Sequence, residues 1–144
     1  MPNIGGFEID AVVLCEQNRV EINQKIILLG VFSGDIVVAE MPATLQISAY
    51  VQFSTSPMGE FKIDFKFVGP DGVEAIVSAE ATMAAIGPSA VPLPTVPLVC
   101  RKDGTISLLM RVNGDDWHEI LRRKVFLGNV PGNTSAPTAS VQTH

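Results

Sequence analysis

Residues 60–82 read EFKIDFKFVGPDGVEAIVSAEAT, two runs of alternating apolar and polar positions around a turn. Phe61, Ile63, Phe65 and Phe67 alternate with Lys62, Asp64 and Lys66. Successive side chains on a strand point to opposite faces, so one face is aromatic and the other charged. Gly69-Pro70-Asp71-Gly72 supplies the reversal: Pro70 presets its φ, Asp71 can bond nearby backbone, and Gly72 tolerates φ > 0. The return run sets Val73, Ala75, Val77, Ala79 and Ala81 against Glu74, Ser78 and Glu80. Large side chains on one strand thus sit beside small ones on the other, as a packed inner face requires.

The same period recurs elsewhere. Residues 44–53 place Leu45, Ile47, Ala49, Val51 and Phe53 inward and Gln46, Ser48, Tyr50 and Gln52 outward. Residues 105–112 alternate through Ile106, Leu108, Met110 and Val112, and Asn113-Gly114 then marks a hairpin turn. Residues 117–128 form its return strand, with a bulge expected near Arg122-Arg123. At the N-terminal end, residues 7–16 put Ile9, Ala11, Val13 and Cys15 on one face, and residues 17–24 read as a polar connection. Residues 25–32 are nearly all apolar, which predicts a strand covered on both sides or crossing the middle of the fold. Gly30 interrupts it as a bulge or a close approach.

Residues 87–97 contain Pro88, Pro92, Pro94 and Pro97. Proline cannot donate to a central ladder, so the segment is a crossover or an extended edge. Residues 129–144 hold no Lys, Arg, Asp or Glu and read as a flexible tail behind a domain of residues 1–128. About seven to eight short, mainly antiparallel strands with little or no helix predict an all-β fold, a single-domain β-sandwich, with a partly open barrel as runner-up.

Composition narrows the class. The 144 residues suffice for one buried core, and 47% are hydrophobic against 17% charged. No apolar run reaches the ~18–20 residues of a membrane helix, and no signal-like start precedes residue 10, so a soluble, cytoplasmic protein without membrane contact is expected. Cys15 and Cys100 lie in apolar strand context and read as buried free thiols. Net charge is −5, divided as −7 over residues 1–100 and +2 over residues 101–144. That balance argues against nucleic acid, whose phosphates need clustered cations.

Candidate chemistry is sparse. His118 is the one histidine inside the expected domain, beside Asp115, Asp116 and Glu119. As a cluster it would be a metal or acid–base site; as a segment it is an exposed turn entering a strand, without the ligand spacing of a zinc site. The turn reading is preferred, and neither a cofactor nor a metal is expected. A Cys15 or Cys100 nucleophile competes with a plain buried thiol, and the buried thiol is preferred. Asp71 and Asp103 are turn residues before they are calcium ligands. The basic residues Arg122, Arg123 and Lys124, with Arg101, Lys102 and Arg111, lack interleaved aromatics to stack bases. In the proline-rich segment, Val91, Leu93 and Val96 are costly to expose unless the domain or a partner covers them.

Residues 11–38, AVVLCEQNRVEINQKIILLGVFSGDIVV, resemble the start of a bacterial and phage-associated family of small β-sandwich domains of unknown function. The likeness lies in Cys15-Glu16, Arg19, Glu21, Lys25 and Gly30-Val31-Phe32, and later in Gly104, Gly114, Trp117 and Leu127. It implies a sandwich fold and a bacterial or phage setting, and it brings no catalytic residue. The expected function is therefore a non-catalytic protein-interaction or structural module that binds a protein partner or a second copy of itself, through Val91, Leu93 and Val96. The alternatives are a metal-dependent ligand binder or enzyme at Asp115, Asp116, His118 and Glu119, and a carbohydrate- or peptide-binding sandwich using Tyr50 and Trp117.

Overall fold

The computed structural model describes residues 2–128; the tail expected over residues 129–144 lies outside the described residues. Eleven strands form: β1 (Asn3–Ile4), β2 (Phe7–Val20), β3 (Ile26–Val31), β4 (Ile36–Val38), β5 (Ala43–Ser56), β6 (Gly59–Val68), β7 (Glu74–Met83), β8 (Gly87–Pro92), β9 (Val96–Cys100), β10 (Gly104–Val112) and β11 (His118–Leu127). The all-β expectation holds, but the count exceeds the expected seven to eight. The two-residue β1 escapes detection by period, β4 is the short strand expected after the Ser33-Gly34-Asp35 turn, and the proline-rich segment supplies β8 and leads into β9.

The strands make two sheets. One runs β1-β2-β5-β8, with β3 also on β2 and β9 also on β5; the other runs β4-β11-β10-β6-β7. Their inner faces share one core. Ile47, Val51 and Phe53 of β5 are fully buried with Ile63, Phe65 and Phe67 of β6 and Met110 of β10. Phe7 of β2 ties the sheets together: its ring packs edge-on at 5.1 Å from Phe53 in its own sheet and 5.2 Å from Phe61 in the other. Such pairs add about 0.5–1.5 kcal/mol beyond the area they bury.

The β6–β7 hairpin follows its sequence pattern. Ile63 pairs with Ala79, Phe65 with Val77 and Phe67 with Ala75, large against small. Its turn contains a short 3-10 element at Pro70–Gly72, and both Asp71 (φ 67) and Gly72 (φ 73) are left-handed. An Asp tolerates that region better than most residues.

Several expectations change. In β2 the register to β5 shifts twice around Ile9, leaving Asp10 without a partner. A one-residue slip moves every later side chain to the other face. Leu14 is therefore buried and Val12 packs on the core, whereas Ala11 is exposed and Val13 only half-buried. In β11 the bulge falls at Ile120, between Leu121 opposite Leu108 and Glu119 opposite Leu109, rather than at Arg122-Arg123. The polar connection expected over residues 17–24 is shorter: β2 continues to Val20 and pairs with β3 as far as Ile26. Asp64, on the charged face of the hairpin, is only 2% exposed.

The largest correction concerns residues 25–32. β3 pairs with β2 and with no other strand, and none of its residues is buried. The apolar run is an edge strand: Ile26 and Leu28 are half-buried, and no layer among the described residues covers Ile27, Leu29 and Val31.

Candidate functional site

Beyond Cys15, β2 leaves β5 and continues with β3 as a two-stranded arm. One side chain anchors it. Asn18 Nδ2 donates to Ser48 Oγ at 2.7 Å, to the Leu93 carbonyl at 2.9 Å and to the Ala49 carbonyl at 3.2 Å. Ser48 Oγ donates in turn to the Leu93 carbonyl at 2.6 Å. Ser48 is on the outward-facing register of β5, yet it is fully buried, because the arm and the β8–β9 link close over it. Thr95 Oγ1 adds a bond to the Glu16 carbonyl at 2.8 Å. Nothing in the sequence marks Asn18, since a polar residue in a polar connection is unremarkable until its distant partners are known.

Apolar side chains stand open on both faces of the arm and at its tip: Ile27 and Leu29 on the face of Arg19 and Gln17, with Val31 opposite Cys15, Val20 on the face of Ile26 and Asn18, and Ile22 in the turn between the strands. Val20 is 60% exposed, Ile22 fully exposed, Ile27 42%, Leu29 38% and Val31 50%. Half of the large apolar side chains exposed among the described residues thus fall within twelve positions. The signal was legible as a run without alternation; its exposure was not. Gly30 (φ 65) kinks β3 where the Glu16 side chain lies over it, and a Cβ there would collide with that carboxylate.

The proline-rich segment is placed differently from the expectation. Leu93 is 2% exposed and belongs to the core, and Val91 and Val96 pack against it. β8 and β9 both pair with β5, so the domain buries Leu93 and covers part of Val91 and Val96, and the three do not stand as an open row.

The residues of the alternative site do not converge. Asp115, Asp116 and His118 are exposed on the β10–β11 turn, where His118 pairs with Met110. Glu119 is committed to Arg122, whose Nε and Nη2 donate at 2.7 and 3.0 Å, and to Ser107 Oγ at 2.8 Å. These donors hold its carboxyl below the ordinary range, Arg122 contributing most. Among the described residues no three His, Cys, Asp or Glu side chains come together as a metal would need. Asp71 pairs with Lys102 at 2.8 Å, and Asp103 Oδ1 accepts the Leu127 amide at 2.9 Å, so both turn carboxylates have protein partners.

The outer face of the five-stranded sheet holds a buried carboxylate. Asp64 accepts from Ser78 Oγ at 2.6 Å and from Arg111 Nε at 2.8 Å. Ser78 chiefly, then Arg111, keep its carboxyl below the ordinary range. Lys66 Nζ and the Arg111 guanidinium both lie over the Trp117 ring, 4.4 and 4.3 Å from its centroid. The stacking surface a sugar would use on Trp117 is therefore taken by two cations. Tyr50 donates to Gln52 at 3.3 Å and Gln52 to Asp10 at 2.8 Å, along a shallow groove of about 400 Å³ that Gln24 and Ile26 border.

Both cysteines are free and buried, and burial pushes both thiols up, the opposite of what a nucleophile needs. No helix among the described residues is long and apolar enough to cross a membrane. No curated protein and no solved structure matches the chain. The model of a family of unknown function, DUF6941, matches residues 10–121, a span that contains the whole arm and the His118 turn, and the chain belongs to that family.

Proposed function

We propose that this protein is a non-catalytic protein-interaction module whose contact surface is the β2–β3 arm. The observation that carries the reading is the open apolar surface of the arm, Ile27, Leu29 and Val31 along β3 with Val20 and Ile22 near the tip, which no layer among the described residues covers. Large apolar patches on soluble domains mark contact sites. The arm is preferred to Val91, Leu93 and Val96 as the contact surface, because Leu93 is buried and the other two are partly buried against the core. Two free, buried thiols support a cytoplasmic setting, and the resemblance in residues 11–38 supports a bacterial or phage one.

The test is a photo-crosslinking residue at Leu29, with the same residue at Thr82 as control, in cells that make the full chain. An adduct formed from position 29 and absent from position 82 is the expected result. Equal adducts from both positions, or none from position 29, would remove the arm as the contact surface. His118→Ala should leave the adduct unchanged.

A further inference from the structure

We infer that the arm docks on the arm of a second copy of this chain, with β3 antiparallel to β3 and Ile27 on the two-fold axis. The inference rests on the interaction-module reading and names its occupant.

The backbone sets the register. Glu21 N donates to the Lys25 carbonyl at 2.8 Å, closing the arm. In an antiparallel ladder, bonded and non-bonded pairs alternate. Val20 with Ile26 is then a non-bonded pair, Arg19 with Ile27 a bonded one, and Asn18 with Leu28 again non-bonded. The N–H and C=O groups of Ile26 and Leu28 therefore point away from β2, and no other strand among the described residues takes them. Gly30 ends this straight edge. Matching open groups to open groups across a two-fold pairs Ile26 with the second copy's Leu28, and Leu28 with its Ile26. Ile27 then lies beside its twin in a closely spaced non-bonded pair.

Charge favours the same partner. Residues 16–31 are neutral, with Glu16 and Glu21 balanced by Arg19 and Lys25. The rest of the first hundred residues carries two cations against nine anions. Two copies of an acidic chain repel least where the arms meet. An anionic lipid surface has no such attraction for a chain of net charge −5. A two-fold perpendicular to the sheet keeps each face on its own side, so the exposed Ile27 and Leu29 of both copies come together on one face of the joined ribbon. Unguarded strand edges are sites of such pairing.

The experiment uses the full chain. Light scattering should give the mass of two chains for wild type and of one chain for Ile27→Lys, which sets two like charges on the axis. In parallel, Ile27→Cys should oxidise to a disulfide-linked dimer, whereas Ile76→Cys, exposed on β7, should not; Cys15 and Cys100 are buried and stay silent. A wild-type chain of single mass at every concentration overturns the inference, as does an Ile27→Lys variant of double mass. Should Ile27→Lys fail to fold, the Ile27→Cys result decides alone, and absence of the linked dimer overturns it. An adduct from position 29 to a different protein sinks this inference and leaves the module reading standing; no arm-specific adduct sinks both.

Discussion

The six-stranded sheet has two edges built on opposite plans. On one side, β8 and β9 carry Pro88, Pro92 and Pro97, with Pro94 between them, and turn their large apolar side chains toward the core. On the other, β3 has no proline and no charge, and its apolar side chains stand open. Prolines remove donors that another chain would need, so the first edge is closed to strand addition by composition. The second is guarded only by its shortness and the Gly30 kink. The two edges meet where Asn18 of the arm bonds the Leu93 carbonyl and Thr95 bonds the Glu16 carbonyl. Two apolar segments are thus placed differently: one completes the core, and the other stands open.

The comparison is broken most directly at Leu93. Leu93→Ala should cost about 2–5 kcal/mol, as large-to-small core changes do. Urea unfolding measures it; a midpoint equal to wild type would mean the proline edge is as dispensable as the arm. Asn18→Ala comes next. It removes the donor shared by three acceptors and should cost about 1–3 kcal/mol, the penalty for unsatisfied buried polar groups. Amide exchange should quicken over residues 20–31 and not over residues 61–67. If both regions quicken together, the arm is part of the global unit.

The outer face of the five-stranded sheet gives a reference that belongs to neither edge. Asp64 has its carboxyl lowered by Ser78 and Arg111. A depressed folded value means the stabilisation is fully present above the unfolded carboxylate value of ~3.9 and is lost as pH falls through the lower folded value. The stability gap between wild type and Asp64→Asn should therefore narrow on acidification. A gap independent of pH in the acid range would show that the carboxylate's charge contributes nothing. The smallest effect is expected at the arm's tip. Ile22→Ser should change unfolding free energy by less than about 0.5 kcal/mol, as exposed substitutions do. A larger loss in dilute protein would mean the tip packs on its own domain.

The β6–β7 hairpin was legible because everything that specifies it is local: a period of two, a Pro-Asp-Gly turn and small residues facing large ones. The edge character of residues 87–97 was legible for a similar reason, since a missing backbone donor is a property of the residue itself. The His118 turn was legible as a turn. Harder to see were the slip at Asp10 and the bulge at Ile120, because a bulge is a relation between two strands. The burial of Asp64 was not legible, because its partners Ser78 and Arg111 are distant in sequence.

The sequence by itself determined the all-β class, the hairpin, the turn residues and the amount of apolar surface to be buried. The tertiary structure alone decided which apolar segments found a cover. Leu93 and Leu29 are chemically alike, and hydropathy along the chain has no means to separate them. Burial is settled by whether a second layer arrives from elsewhere in the chain. β5 lies between β2 and β8–β9 and opposite β6, so Leu93 is enclosed. β2 runs past the end of that layer, and β3 follows it beyond the reach of the other sheet.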